Sequence, residues 1–291
     1  MEKNKSGKIK TSVWDKVFVV CNTLFMVAFV IITLYPVLNT LAISLNDGTD
    51  ALRGGIYLWP RKWTFKNYIT VLQKDNLITG AYITVARTII GTLLALVANA
   101  ILAFIVSRKN FIFKRSLSLF WVVTMYVNGG MIPTYLVLRQ LHLTNTLWVV
   151  ILYPALNVYN LVLMRNFFEG IPASLYEAAT LDGSTPMQTF VRIVLPMSKP
   201  ALASIGLMYA VSYWNDYTHY KLYINNSDLY NFQMKLRGMI MGSDLPTASG
   251  NATENTIKNA AIIIVIIPFM ILYPFLQKYF VQGVNIGAVK E

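Results

Sequence analysis

Few residues of this 291-residue chain are of types that do covalent chemistry, which holds 13 Asp and Glu, two His and one Cys. The carboxylate with the most defined setting is Glu177, inside Ile171-Pro172-Ala173-Ser174-Leu175-Tyr176-Glu177-Ala178-Ala179-Thr180-Leu181-Asp182-Gly183. Pro172 suits the first turn of a short helix, and Gly183 suits its stop. At helical spacing Leu175, Ala178, Ala179 and Asp182 share one face, where the alanines permit close approach by another surface. Glu177 lies beside that face as a charge for a partner. Asp182, near a helix end where its charge opposes the dipole, points to the same contact. A second start follows at once, because Thr185, Pro186 and Gln188 match a capping box with proline at the first helical position. Pro196 closes the unit. Two short helices joined at a glycine form a protrusion suited to a cleft in a soluble subunit, so the chemistry expected here is docking.

Catalytic chemistry finds no support in the sequence. Neither an HExxH motif nor a paired-carboxylate constellation occurs, which argues against a membrane-embedded enzyme. No GxxxxGK[ST] phosphate loop occurs either, so the chain is expected to hold no ATP itself and to take its energy from another subunit. His142 and His219 read as outer-surface residues with no metal-ligand spacing. The lone Cys21 lies in an apolar stretch as a small lipid-facing or core residue, which excludes an internal disulfide.

The elements that must position Glu177 are membrane helices. The chain is 55% hydrophobic and 13% charged, with a mean hydropathy of +0.50, far from the roughly 25% charge of soluble domains. Its net charge of +12 is spread without the dense, aromatic-interleaved basic run of a nucleic-acid binder. The expected class is all-α, a polytopic protein with about six spans. These are Val17–Leu45, Gly80–Val106, Leu117 to about Leu138, Thr146–Met164, Lys199 to about Asp216, and Ala260–Tyr279. The third is interrupted by Asn128-Gly129-Gly130 and Pro133, which unwind or kink a helix. Residues 1–16 form a basic N-terminal segment like a signal-peptide n-region, but the apolar stretch after it is far longer than an h-region, so it reads as leading into an uncleaved first span. Residues 17–280 form one membrane domain with a polar loop at 165–198, and 281–291 form a tail. With both termini in the cytoplasm, fourteen Lys and Arg fall inside against ten outside, Arg87 aside. The inner ones cluster near span ends, which fits the positive-inside bias. The outer loops, with Arg53, Arg61, Lys62, Arg237 and Lys258, suit an acidic oligosaccharide, an acidic binding protein or plain solvation.

Glu177-Ala178-Ala179, then Gly183, then Ile193, then Leu195-Pro196 resembles in full the EAA signature of the permease subunits of type I ABC importers. The resemblance implies that this loop is the coupling helix that fits a groove of a cytosolic ATPase. It makes Leu175, Tyr176, Glu177, Ala178, Ala179, Asp182, Gly183, Ile193, Leu195 and Pro196 the ATPase-coupling residues. Gly129 to Tyr135, Ser198-Lys199-Pro200, Tyr213-Trp214-Asn215 and the tail from Lys278 to Lys290 are similar to carbohydrate-uptake permeases. Within these they look like the smaller, maltose-type subunit and the oligo- or polysaccharide subgroup. The resemblance implies a second, homologous permease, an ATPase dimer that binds ATP and Mg, an extracytoplasmic solute-binding protein and a sugar substrate. A sugar path needs hydrogen bonds and flat rings. Arg87, Tyr126, Asn128, Asn157, Tyr159, Asn160, Tyr213, Trp214, Asn215 and Asp216 supply them, with interhelical glue and interface aromatics as the plainer reading. Arg87 marks a pathway or an ion pair, or snorkels to the headgroups. The alternative function is an ion channel or secondary carrier without an ATPase, which would ordinarily carry more buried carboxylates than Asp216 at a span edge.

Overall fold

The computed structural model describes residues 13–73, 77–241, 252–268 and 270. Among them regular structure is helical, apart from one antiparallel bridge between Asn46 and Trp63. The chain divides into two compact units, one of residues 1–71 with 246–263 and one of 72–245 with 264–291.

In the first unit, α1 (Val13–Ser44) has 32 residues, about 48 Å at 1.5 Å per residue and longer than the ~30 Å hydrocarbon core. Its apolar side chains lie open around most of its circumference, which suits a helix solvated by lipid. Cys21 is on this exposed surface. Beyond it come α2 (Gly48–Ala51), capped by Asp47, and α3 (Lys66–Leu72). The connecting segment is organised by buried amides. Asn46 Oδ1 accepts the N–H groups of Arg61 and Lys62 at 2.8 and 2.9 Å, while Asn67 Nδ2 donates to the carbonyls of Ser44 and Asn46. Asp50 receives Asn46 Nδ2 at 3.1 Å and Arg61 Nε at 2.9 Å, and these donors hold its carboxyl below the usual range. A helix over 254–268 also falls among the described residues. Half of the expected sixth span, Ala260–Tyr279, lies outside them.

The second unit is built on α4 (Leu77–Ser107). Gly80, Thr84, Arg87, Gly91, Ala95, Asn99 and Ala103 recur at three- and four-residue spacing and are its buried stripe. Small residues let neighbouring backbones approach closely. After α4 come α5 (Lys114–Tyr126), α6 (Met131–Gln140), and α7 (Leu147–Leu152), which tightens into a 3-10 turn at Tyr153–Ala155. Then follow α8 (Val158–Glu169), α9 (Ala173–Leu181), α10 (Pro186–Thr189), a π-helical turn at Phe190–Val194, and α11 (Leu195–Met197). The unit's described part ends with α12 (Lys199–Asn215), α13 (Thr218–Tyr223) and α14 (Phe232–Ile240). Helices α8, α12 and α14 pack along α4.

Among the described residues two helices, α1 and α4, are long and apolar enough to cross a membrane alone, and up to five spans result if each bent pair counts as one. The expected third span departs most from a rod: α5 and α6 meet at 118°, more than a right angle. The turn is at Asn128-Gly129-Gly130, where Gly130 has φ +90°, a region closed to most side chains. Pro133 falls within the first turn of α6, where its missing N–H has no helical acceptor to lose.

Lowering the pH tests the first unit. A carboxyl whose folded pKa is depressed stabilises above the unfolded value of about 3.9 and loses that contribution as pH falls through the folded one. Amide protection across 46–63 should therefore persist down to about pH 4 and fade below it, and Asp50→Asn should remove this pH dependence. In the second unit, a Cβ at Gly91 would lie 2.7 Å from Cζ of Tyr213, whereas one at Gly206 meets the flexible end of Leu96 at 3.0 Å. Gly91→Ala should destabilise by ~1–3 kcal/mol through overpacking and Gly206→Ala by less, read from unfolding midpoints in detergent.

Candidate functional site

The protrusion around Glu177 is a capped and braced unit. Gly183, at φ +72°, ends α9, with the N–H groups of Gly183 and Ser184 returning to the carbonyls of Thr180 and Ala179 at 3.1 and 2.9 Å. The capping box is present: Gln188 N–H donates to Thr185 Oγ1 at 3.3 Å and Thr185 N–H to Gln188 Oε1 at 2.9 Å. After α11 the chain turns by 81° into α12, the corner that Pro196 and Pro200 bracket.

One side of α9 faces its own chain. Ala179 is buried, together with Thr189, Phe190 and Val194 of the following turns. This corrects the face drawn from helical spacing, because Ala179 serves internal packing while Leu175, Ala178 and Asp182 stay exposed. Glu177 and Gly183 are exposed as well, and Leu181 is 89% exposed. Ile193 and Leu195 are half-buried and Pro196 is open.

Tyr176 joins the protrusion to the membrane helices. Its hydroxyl donates to the Phe168 carbonyl at 3.2 Å, and the guanidinium of Arg108, just past α4, lies 3.7 Å from its ring centroid. Burial pushes the phenol above its ordinary pKa, against the opposing pull of Arg108. Nearby, Lys114 and Arg165 both reach Glu169 Oε1, at 2.8 and 3.0 Å.

A second constellation gathers at the other end of α4. Arg87 is 2% exposed. Its Nε and Nη2 donate to the Val150 carbonyl at 3.0 and 2.7 Å, its Nη1 donates to the Tyr213 carbonyl at 2.9 Å, and Nη2 also pairs with Asp216. The guanidinium lies over the rings of Tyr213 and Tyr220 at 4.9 and 5.0 Å. Asp216, 7% exposed, takes His219 Nδ1 at 2.8 Å and the His219 N–H at 3.1 Å. Tyr213 donates its hydroxyl to the Ile151 carbonyl at 2.7 Å.

The family described as binding-protein-dependent transport system inner membrane component matches residues 6–286. The chain belongs to this family. It is 36% identical over 281 residues to Protein LplC of Bacillus subtilis (strain 168), covering 94% of this chain and 95% of that one. It is 36% identical over 273 residues to the polygalacturonan/rhamnogalacturonan transport system permease protein YtcP of the same organism, covering 91% and 96%. Among solved structures, a chain of a bacterial ABC transporter involved in import of the acidic polysaccharide alginate is 30% identical. That match has a TM-score of 0.89, over 94% of this chain and all of that one. The fold is thus that of a type I ABC importer's transmembrane domain, in an inner-membrane permease subunit.

The permease separates the substrate-path candidates into two groups. Arg87, Tyr213 and Asp216 belong to the internal clamp, with their polar groups engaged by backbone and by each other, and Asn160 is buried. Tyr126, 83% exposed, and Tyr159, Asn128, Asn157 and Asn215 are open, while Trp214 is half-buried. Asn157 Oδ1 also caps α8 through the Asn160 N–H at 3.1 Å. His219 is half-buried: its ring stacks on Tyr223 and meets Tyr153 edge-on. The i, i+3 spacing of Asp216 and His219 was the available signal for that contact. For Glu169 the i, i+4 spacing from Arg165 was a signal, while Arg108 had none in its local sequence.

Arg87→Met should lower stability by ~3–5 kcal/mol, because Asp216 is left buried without its cation. Adding Asp216→Asn should recover part of that loss. Unfolding midpoints of the two variants in detergent measure both, and an unchanged Arg87→Met midpoint would refute the clamp.

Proposed function

We propose that this permease carries an oligosaccharide inward across the cytoplasmic membrane as the smaller of two homologous permease subunits. The reading is carried by the family match over 6–286 together with relatives whose names are those of carbohydrate transporters. Both termini and the 165–198 loop face the cytoplasm. There α9 docks on a cytosolic ATPase dimer that holds ATP and Mg, and an extracytoplasmic binding protein delivers the sugar to the opposite side. Family membership decides against the channel or carrier alternative.

In the proposed cycle, closure of the ATPase dimer on ATP moves α9, and the braced contact at Tyr176 carries that movement into the ends of α4 and α8. Hydrolysis resets the spans. Sugar meets the open polar and aromatic residues, Tyr126, Asn128, Asn157, Tyr159 and Asn215, with Trp214 beside them. The outer cations contribute less free charge than their number suggests. Arg61 is paired with Asp50, Lys258 with Glu254, and Arg237 lies over Tyr217.

Co-purification tests the docking. Glu177→Lys should reduce recovery of the ATPase at least ~10-fold, equivalent to ~1.4 kcal/mol, and leave the second permease in place. An ATPase that assembles at wild-type affinity on a permease deleted for 173–183 would overturn the role given to α9.

A further inference from the structure

An open cleft of ≈ 900 Å³ lies where the ends of α4, α5 and α8 meet α9. Its walls carry Arg108, Lys109, Lys114 and Arg165 against Glu169 and Glu177. Arg108 is stacked on Tyr176, and Lys114 and Arg165 hold Glu169 between them. Lys109 is exposed and has no partner among the described residues. The cleft therefore presents one uncommitted cation, Lys109, and one uncommitted carboxylate, Glu177, beside an ion triplet that is itself one charge positive and the stacked Arg108, so its lining is net positive.

The loop from Ser107 to Lys114 adds an independent observation. At its tip Ile112 is 85% and Phe113 58% exposed, between Lys109 on one side and Lys114 and Arg115 on the other. The loop joins the end of α4, which is long enough to span, to the start of α5. An apolar tip flanked by cations, at the ends of spanning helices, is the composition of the headgroup boundary: apolar groups enter the acyl edge and cations meet phosphates. Against a soluble partner alone, these two side chains would have no apolar medium supplied by the membrane they adjoin.

We propose that this cleft binds the anionic phosphate headgroup of an inner-leaflet phospholipid. Lys109 supplies the free charge, and Ile112 and Phe113 sit among the acyl chains. The proposal rests on the cytoplasmic placement of α9 given above. Because Glu177 and Tyr176 also line the cleft, a lipid there touches the docking helix itself and makes its position sensitive to membrane charge.

Native mass spectrometry of the full permease, released from micelles containing equal phosphatidylglycerol and phosphatidylcholine, tests this. Phosphatidylglycerol should be retained in preference. Lys109→Gln should cut that retention about fivefold, the ~1 kcal/mol one cation is worth at an anionic surface, and leave phosphatidylcholine unchanged. Lys109→Arg should restore it, which separates lost charge from lost folding. Equal retention of the two lipids, or an unaltered preference in Lys109→Gln, would overturn the proposal. Displacement of the lipid by millimolar inorganic phosphate would make this a free-phosphate site instead. Unchanged lipid retention with loss of a soluble subunit would make it a protein contact. Micelles have no sidedness, so a failed orientation shows up separately, in labelling of an added cysteine in sealed vesicles.

Discussion

Pro154 has no N–H, so the carbonyl of Val150, one turn earlier, has no helical donor. In a bilayer no water is at hand to replace it, and an unsatisfied carbonyl there costs several kcal/mol. Arg87 supplies two N–H groups to that oxygen. Much of the second unit then depends on keeping a guanidinium at this depth. Its charge calls for Asp216, and Asp216 in turn takes the side chain and backbone of His219. Its remaining nitrogen meets the Tyr213 carbonyl, which α12 leaves without a helical donor by ending at Asn215. The Tyr213 ring fits only because position 91 has no Cβ. One proline in the α7 turn thus ties together α4, α7, α12 and α13.

The same helix answers the next gap in the backbone. At the end of the 3-10 turn, Asn99 Nδ2 of α4 donates to the Ala155 carbonyl at 2.8 Å, and α12 adds Tyr209, whose Oη accepts the Asn157 N–H at 3.1 Å. Thr84 Oγ1 takes the Phe232 N–H at the start of α14 at 2.8 Å. The polar residues on the buried stripe of α4 therefore have a common use, which is to complete hydrogen bonds that helix breaks leave open. Its small residues allow the close approach that brings those groups within reach. The 46° bend between α7 and α8 can persist in lipid because its freed groups are met in this way.

What was legible in the sequence was local. The apolar runs that became α1 and α4, the capping box at Thr185, the stop at Gly183 and the break at Asn128 to Gly130 all rest on neighbouring residues and on periodicity. The 118° turn between α5 and α6 was not legible, because glycines permit an angle without choosing it. The clamp was legible only as a problem, since a buried arginine needs partners. Those partners lie 63, 126 and 129 positions away, and spacing says nothing of such distances. Ala179 was assigned outward for a similar reason: two adjacent alanines suit close approach equally well on either side of a helix, and only tertiary packing decides which of them turns inward.

That inward turn braces the protrusion against its own chain. A helix exposed on all sides would yield to a force by rotating on its loops. Here α9 is held by Ala179 in the core, by the Tyr176 hydroxyl on the end of α8, and by Arg108 stacked on the Tyr176 ring at the end of α4. Its opposite side, with Glu177, Ala178 and Leu181, has no such attachment among the described residues. Packed interiors deform little, so displacement of the open side must move the ends of α4 and α8 rather than be absorbed between them. Because α4 also carries Arg87 and Asn99, a shift at its Ser107 end reaches the backbone breaks of α7 and α8 through a single continuous helix.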